Sequence, residues 1–407
     1  KICYTIYTKG VMTMISCIIF KDNKVLLNKL NNKYIFPKYE IDNEENLINI
    51  INKEFNTNIK VLDHITKNNI NVYILSANNI NLNNNYELIE IPELINYEFN
   101  TKDIFLVELS LTYKYLSKCM LCPRKCNVNR YKTLGFCNSN NCLKIANYSL
   151  HMWEEPCISG ENGSGTIFFS YCNLKCIYCQ NYEISTLHKG KNISIYELSD
   201  IMINLQKKGA NNINLVTPTH YIILIKYAII LAKKKGLTIP IVYNTSGYED
   251  VNSINLLKGL VQVYLPDLKY YDNNLSIKYS KCNDYFKITT LAIKEMYKQV
   301  GKIKFDNNGI IKSGLIVRHL VLPGHIEDSK KIIKYLYDTY KDNIYISIMN
   351  QYTPLRKLEV DNLNRKLTDK EYDEVIDYAY DIGVRNAFIQ EGETQSDSFI
   401  PIFSDEV

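Results

Sequence analysis

Two groups of cysteines are the residues of this chain best suited to chemistry, because their spacing is typical of metal ligands. Nine of the 12 cysteines lie between Cys119 and Cys179. The first group is Cys119, Cys122, Cys126 and Cys137, and the second is Cys172, Cys176 and Cys179. A disulfide scaffold belongs to a small secreted protein, whereas these cysteines crowd one window of a 407-residue chain. The pattern therefore predicts metal binding.

The C-x3-C-x2-C spacing of the second group favours an iron–sulfur cluster with one open iron. Three thiolates within eight residues can bind one face of a 4Fe–4S cube and leave the fourth iron without a protein ligand. An open iron can bind a substrate or a cofactor, whereas a fourth cysteine would make a plain electron carrier. Residues 166–170 are typical of a buried strand, so we expect the loop at the carboxyl end of that strand.

This spacing resembles the signature of the radical S-adenosylmethionine (SAM) superfamily, and within it the uncharacterised homologues of pyruvate formate-lyase activating enzyme. The resemblance runs from about Cys119 to Gln390 and includes the ordered blocks CPRKCNVNR, EEPCISG, GSGTIFFSYCNLKCIYCQN, NINLVTPTH, PIVYNTSGYED, YLPDLKY and GLIVRHLVLPG. It implies a 4Fe–4S cluster whose open iron chelates SAM. Reductive cleavage then gives a 5′-deoxyadenosyl radical that abstracts hydrogen from a substrate. A structural or zinc site at the triplet is the alternative.

The resemblance also implies partners and cofactor-binding residues. The electron donor would be a protein such as flavodoxin or ferredoxin, and the substrate a glycine of a partner polypeptide or else a small molecule. Asp267 and Lys269 would lie near the methionine end of SAM, with Lys269 offering a cation to its carboxylate and Arg318 or His319 adding a donor. Tyr178 occupies the position where the superfamily often stacks the adenine. The alternative for Asp267 and Lys269 is an ordinary salt bridge, and the alternative for Tyr178 is an aromatic residue of the core.

One familiar motif is missing. Many activating enzymes carry a Gly-Gly-Glu stretch after the second strand, which holds the amino group of SAM. This chain has Thr217-Pro218-Thr219-His220 at that place. The contact to the amino group is therefore open, and His220 is a candidate for a substrate-facing residue.

The residues after Cys179 alternate between helical and extended patterns. Capping boxes at Ser194-x-x-Glu197 and Thr368-x-x-Glu371 predict helix starts. We expect helices over 221–235 and 329–340, and strands over 213–216, 239–243, 261–265, 315–322, 344–349 and 387–390. Repeated βα units predict an α/β fold with a parallel sheet. The resemblance implies the superfamily's partial (βα)6 barrel.

The upstream cysteine quartet (Cys119, Cys122, Cys126 and Cys137) has enough thiolates to close a metal site. Such sites hold structural zinc or a 4Fe–4S cluster, and both alternatives stay open. Cys142 or Cys157 could replace one ligand. The isolated cysteines are expected to be buried apolar residues, and they are Cys3, Cys17 and Cys282.

The N-terminal residues follow another pattern. Residues 14–27 predict a strand–turn–strand hairpin, and apolar residues at helical spacing follow, namely Ile50, Ile51, Phe55 and Ile59. The region resembles a Nudix hydrolase, whose box is G-x5-E-x7-R-E-U-x-E-E-x-G-U. A gap-free alignment puts Tyr39 at the first glycine, Glu45 at the first glutamate and Glu54 at the second. The metal-binding Glu-Glu pair falls on Thr57 and Asn58, so a degenerate Nudix-like α/β/α domain is expected. An amphipathic α/β domain of another kind is the alternative.

Three regions follow from these patterns: a Nudix-like domain at 1–112, a Cys-rich segment at 113–160 and the barrel at 161–407. The formal net charge is +5, from 48 basic and 43 acidic residues, without a basic stripe that would indicate nucleic-acid binding. The longest apolar stretch, 221–232, is too short to span a membrane. No signal peptide is recognised, and a cytoplasmic enzyme is expected. The rival hypothesis is a nucleotide-binding or Nudix-type hydrolase with a structural metal cluster.

Overall fold

The computed structural model describes residues 12–30, 33–67, 69–101 and 103–390. Cys3 and the first eleven residues, which enter the signal-peptide expectation, lie outside the described residues. The chain divides into two compact units, Lys1–Lys114 and Tyr115–Val407. The Cys-rich segment therefore belongs to the same unit as the barrel strands.

The N-terminal unit is a mixed sheet with helices. Its elements are β1 (Thr13–Lys21), β2 (Lys24–Leu30), β3 (Lys33–Ile35), β4 (Lys38–Ile41), α1 (Glu44–Phe55), β5 (Ile59–Lys67), β6 (Ile70–Ala77), β7 (Tyr86–Glu90), a 3-10 turn (Ile91–Asn96) and α2 (Ile104–Leu116). The sheet order is β3-β2-β1-β6-β5, with β4 on β1 and β7 on β2. The antiparallel pairing of β1 with β2 agrees with the expected hairpin.

Helix α1 is shorter than its apolar spacing suggested. Asn43 caps its start by accepting a hydrogen bond from the Asn46 N–H, and buried Ile51 and Phe55 face the core. The helix ends at Phe55, and the next residue, Asn56, has a left-handed φ of 45°. The expectation that Ile59 continues the helix is therefore wrong, because Ile59 begins β5.

The second unit alternates strands with helices. Its elements are β8 (Leu143–His151), α3 (Pro156–Ser159), β9 (Ser164–Phe169), α4 (Tyr182–Ser185), β10 (Lys191–Ile193), α5 (Ile195–Lys207), β11 (Ile213–Val216), α6 (Ile222–Lys234), β12 (Ile241–Thr245), α7 (Val251–Asn255), β13 (Val263–Pro266), α8 (Asn273–Ser280), α9 (Tyr285–Val300), β14 (Lys304–Phe305), β15 (Ile311–Leu320), α10 (Ile326–Tyr340), β16 (Tyr345–Met349), α11 (Asp369–Asp381) and β17 (Ala387–Ile389). Both expected capping boxes are present, at the starts of α5 and α11.

The sheet of this unit has the order β10-β8-β9-β11-β12-β13-β15-β16-β17. The seven strands β9, β11, β12, β13, β15, β16 and β17 pair in parallel. Strands β8 and β10 add an antiparallel edge, and the short β14 pairs antiparallel with β15. Six strand–helix units, starting at β9, β11, β12, β13, β15 and β16, lead to β17 as a further parallel strand. The predicted α/β fold with a parallel sheet is confirmed.

The central strands are apolar because helices cover the sheet, and β9, β11, β12 and β13 are buried along their whole length. Polar side chains therefore collect where the strands end. Helix α6 contains most of the longest apolar stretch but has only 13 residues. Within the described part of the chain, no helix is long and apolar enough to cross a membrane.

Candidate active site at the carboxyl edge of the sheet

A cavity of about 720 Å³ lies where the parallel strands end. It brings together most of the residues expected from the sequence. Those that line it are Cys172, Cys176, Cys179, Tyr178, Asp267, Lys269 and Arg318. Residues of β9, β11, β12, β15, β16 and β17, together with residues just after β13, thus share one space, as the carboxyl ends of parallel strands do in such folds.

The cysteine triplet follows β9 and has hydrogen-bonding groups at each sulfur. Its members are Cys172, Cys176 and Cys179, in that order along the loop. The Leu174 N–H lies 3.4 Å from the first sulfur, the Ser280 hydroxyl 3.0 Å from the second and the Ser185 hydroxyl 3.3 Å from the third. Burial raises the pKa of the second thiol, that of Cys176, to about 11, so a bound metal must provide the charge that keeps it deprotonated.

A buried ion triad stands beside the triplet. Lys269 Nζ lies 2.6 Å from Asp267 Oδ2, and Arg318 Nε lies 3.0 Å from Asp267 Oδ1. Burial alone would raise the pKa of Asp267, but the charges of Lys269 and Arg318 hold it below its usual value. Burial likewise opposes the charge of Lys269, but Asp267 and the nearby Cys176 raise the pKa of its ammonium group. The triad is a salt bridge inside the cavity, and it provides one carboxylate for two cations.

Two glutamates that the sequence did not indicate complete this charge network. Arg318 Nη1 lies 3.4 Å from Glu154 Oε2, and its Nη2 donates to Asn244 Oδ1 over 2.6 Å. Asn214 donates to the other Glu154 oxygen over 3.0 Å. Burial raises the pKa of Glu154 and of the adjacent Glu155, while Arg318 opposes that effect. Both glutamates line the cavity from the segment between β8 and β9.

Tyr178 is connected to the cysteine triplet by a chain of hydroxyls. Its Oη lies 2.6 Å from Tyr270 Oη, which lies 2.6 Å from Ser280 Oγ, and Ser280 Oγ is 3.0 Å from Cys176 Sγ. A metal-bound thiolate can only accept. Ser280 must then donate to Cys176, Tyr270 to Ser280 and Tyr178 to Tyr270. The chain therefore runs in one direction, from the cavity to the sulfur, and its bonds reinforce one another.

We expect Ser280→Ala to lower the midpoint potential of a cluster held by the triplet. A hydrogen bond to sulfur stabilises the more negative, reduced state. A differential loss of about 1 kcal/mol corresponds to roughly 40 mV for one electron. The potential would be measured by redox titration followed by electron paramagnetic resonance. Ser199→Ala is the matched control, because this buried serine bonds the Tyr196 carbonyl within α5. Equal potentials for the two variants would contradict the role of the chain.

The two histidines expected near the ligands lie elsewhere. His319 was expected to offer a donor near SAM, but it lies outside the cavity. Its Nδ1 is 2.8 Å from the Leu268 carbonyl oxygen and its Nε2 is 2.8 Å from Ser329 Oγ. Arg318 precedes it on β15, and successive side chains of a strand face opposite sides. His220 is buried with its Nε2 2.8 Å from the Ser170 carbonyl, whereas Thr217 lines the cavity.

The remaining cysteines separate into different surroundings. Cys157 belongs to the apolar core around β12 and β13, and Cys17 to the core of the N-terminal unit. Cys282 is fully buried. In the described ranges, no group of three or more His, Cys, Asp or Glu side chains is arranged around a single metal ion. An iron–sulfur cluster is a different case, because each cysteine sulfur binds a different iron.

Comparison with known proteins gives the family. The Radical SAM superfamily profile matches residues 166–336. An uncharacterised protein of Methanocaldococcus jannaschii is 30% identical over 302 residues, which are 70% of this chain and 82% of the relative. The chain belongs to the radical SAM superfamily.

Several solved structures are also similar to the chain. Streptococcus suis SuiB bound to the precursor peptide SuiA is 14% identical, with a TM-score of 0.40, over 55% of this chain and 47% of SuiB. The chain thus spans about half the length of SuiB. The structure called anSMEcpe with bound AdoMet is 17% identical, with a TM-score of 0.38, over 56% and 58%. A NUDIX-family hydrolase of Clostridium perfringens is 14% identical over 25% of this chain and 96% of its own, with a TM-score of 0.20.

The cofactors of this superfamily are a 4Fe–4S cluster and SAM, and the site fits both. Three thiols with hydrogen-bond donors at their sulfurs face one cavity, as a three-cysteine cluster requires. The cavity volume is in the range of small-molecule sites. Lys269 and Arg318 bring positive charge to the same space, which suits a carboxylate.

Proposed function

We propose that this radical SAM enzyme abstracts a hydrogen atom from a partner polypeptide, in a reaction similar to the activation of pyruvate formate-lyase. The bound cofactors supply the 5′-deoxyadenosyl radical, and the target would be the Cα hydrogen of a glycine. A small-molecule substrate is the alternative. A cytoplasmic flavodoxin or ferredoxin would provide the electron.

The observation that carries the polypeptide proposal is the apolar mouth of the cavity. Trp153 is 68% exposed, Met152 44% and Ile389 46%, and all three line the cavity. Exposed apolar side chains grouped at a site are typical of protein interaction surfaces. A small polar metabolite would gain little from such a rim, whereas the side chains of a polypeptide would bury it.

The residues of the chain have distinct tasks in this proposal. Lys269 and Arg318 would bind the carboxylate of SAM, and Asp267 would hold both cations in position through the 2.6 Å and 3.0 Å contacts. Tyr178 would contact the adenosine part from its place beside the triplet. The adjoining glutamate, Glu154, offers a carboxylate near the same cations.

The proposal is tested by following the hydrogen atom. Cells are grown on glycine deuterated at Cα, and their extract is separated into a macromolecular and a small-molecule fraction. Each fraction is then incubated with the reconstituted enzyme, SAM and dithionite. We expect deuterium in 5′-deoxyadenosine from the macromolecular fraction. Trp153→Ala should lower this transfer, whereas Leu291→Ala, which removes an exposed apolar residue from α9 outside the cavity lining, should not. Transfer from the small-molecule fraction alone would overturn the proposal.

For the N-terminal unit we propose binding rather than hydrolysis. Of the two carboxylates that match the Nudix box, Glu54 accepts a hydrogen bond from Tyr39 Oη over 2.8 Å, and Glu45 lies in the first turn of α1. Nudix chemistry needs several carboxylates to hold the divalent metal, and Thr57 and Asn58 offer none. The unit would instead dock the substrate or a partner.

We expect the full chain to show no turnover of nucleoside di- or triphosphates with Mg²⁺ or Mn²⁺. The reason is the missing pair of metal-binding carboxylates. Phosphate release would be measured with the intact chain and with Glu54→Gln as the matched variant. Turnover near 1 s⁻¹ or faster that disappears in Glu54→Gln would overturn this prediction and favour the rival hydrolase function.

A further inference from the structure

The cysteine quartet lies on a loop between α2 and β8 whose shape is set by main-chain hydrogen bonds. Residues 117–142 form turns and bends. The Cys119 N–H donates to the Val128 carbonyl over 2.8 Å, and the Asn127 N–H donates to the Cys119 carbonyl over 2.9 Å. These two bonds close a ring of chain that holds the second and third cysteines of the quartet.

Cys137, the fourth cysteine, follows a segment of the loop that lies against this ring. The Phe136 N–H donates to Cys126 Sγ over 3.3 Å, and a Cβ atom at Gly135 would lie only 3.2 Å from the same sulfur. Glycine thus permits the contact. Cys119, Cys122 and Cys137 are also buried, with 9%, 8% and 7% exposure. The loop therefore brings the chain segments of all four cysteines to one place.

Two arginines of the same loop carry positive charge without a carboxylate partner in the described part of the chain. Arg130 is 1% exposed, and its hydrogen bonds go to the carbonyls of Asn140 and His220 and to Ser139 Oγ. Arg124 is partly buried and donates only to main-chain carbonyls. A buried cation is costly unless a negative charge is nearby. The loop therefore needs an anionic group that the side chains alone do not provide.

A buried hydroxyl marks the same place. Tyr221 is fully buried, and its hydroxyl has no hydrogen-bond partner among the described residues. The centre of its ring lies 5.9 Å from the guanidinium carbon of Arg130. The buried cation and the orphan donor are thus neighbours beside the loop of the quartet.

We propose that the quartet binds a second, anionic 4Fe–4S cluster, with Arg124 and Arg130 as its counter-charges. Four thiolates around an oxidised 4Fe–4S core carry a net charge of about −2. The two arginines match this charge. Four protein ligands close the site, so it binds no substrate and differs from the open triplet.

The centre would clamp the loop of the triplet onto the barrel. Arg124 Nε donates to the Asn173 carbonyl over 3.0 Å, inside the triplet loop, and its Nη1 donates to the Lys281 carbonyl over 2.6 Å, just after α8. Arg130 Nη1 donates to the His220 carbonyl over 2.6 Å, between β11 and α6. Both arginines thus connect the loop of the quartet to other segments of the unit, among them the triplet loop, which lines the cavity through Cys172 and Leu174.

Metal content tests the site without any activity assay. The full chain and its Cys172→Ala/Cys176→Ala/Cys179→Ala variant are reconstituted anaerobically with iron, sulfide and zinc, and metals and acid-labile sulfide are counted. We expect the variant to retain about four iron atoms and a similar amount of sulfide. A further Cys122→Ser change should remove both. A folded variant without iron would overturn the proposal, as would a variant that holds zinc without sulfide or an intact chain that holds only about four iron atoms.

Competition with a chelator tests the counter-charges. Arg124→Gln keeps donors for the carbonyls but removes the charge, and we expect it to weaken metal binding by the quartet about 10- to 100-fold, as changes around metal ligands do. Arg365→Gln is the matched control, because Arg365 pairs with Glu371 outside the loop. Equal affinity in the two variants would overturn the role of the arginines.

Discussion

Replacing Cys172, Cys176 or Cys179 by alanine is expected to abolish the formation of 5′-deoxyadenosine. Each of these thiols faces the cavity and would bind a different iron, so the loss of one frees or distorts the cluster. The intact chain, reconstituted anaerobically and reduced with dithionite, should form the product from SAM. The measurement is chromatography of the nucleoside with a mass assignment.

The control separates loss of the cluster from loss of the fold. Cys17→Ala also removes a buried thiol, but from the apolar core of the N-terminal unit, and it should retain product formation. Iron content would be counted for all four variants. Undiminished product from any of the three triplet variants would contradict the assignment of the cluster ligands.

The sequence was sufficient for those parts of the site that follow local rules. The spacing of the triplet predicts its three cysteines as cluster ligands, and the structure places all three at one cavity. The apolar run before the triplet predicts a strand, which is β9. Asp267 and Lys269 come directly after β13 and line the cavity, so the rule that site residues gather at strand ends also located them. Capping boxes located the starts of α5 and α11, because their hydrogen bonds depend on residues only three positions apart.

The parts that were missed depend on long-range packing. Glu154 reaches Arg318 across 164 positions of the chain, and it follows the antiparallel edge strand β8 rather than one of the parallel strands. Ser280 reaches Cys176 from the end of α8. No spacing rule connects such pairs. His319 was wrongly placed for a different reason: it and Arg318 were treated as equivalent neighbours, although strand alternation lets only one of them face the cavity.

The ion triad is the part of the site where one change has the largest expected effect on stability. Asp267 is the carboxylate closest to both Lys269 and Arg318, and all three side chains are largely buried. Removing one partner of a buried charge pair costs about 3–5 kcal/mol, because the other charge stays buried without compensation. Here two like charges would remain. Glu154 reaches only Arg318, at 3.4 Å, so it would compensate only in part.

Asp267→Asn is therefore expected to lower the free energy of unfolding by about 3–5 kcal/mol near neutral pH. The pKa of Asp267 is lowered in the folded chain, so its contribution is full above the unfolded value of about 4 and is lost as pH falls through the folded pKa. The pKa of Lys269 is raised, so its share is full below an unfolded value of about 10.4 and is lost at higher pH. The difference between wild type and variant should thus be constant from about pH 5 to 10 and shrink on both sides.

Urea denaturation of both chains across this pH range measures the effect. Asp306→Asn is the matched control, because Asp306 also pairs with a lysine, at 2.9 Å, but on an exposed site. Water screens that pair, so its loss should change the unfolding midpoint little. Because the Asp267 pair is buried and the Asp306 pair is more exposed, the two variants should differ clearly in their unfolding midpoints. If Asp267→Asn unfolds at the same urea concentration as Asp306→Asn at pH 7, the charges of Lys269 and Arg318 do not depend on Asp267.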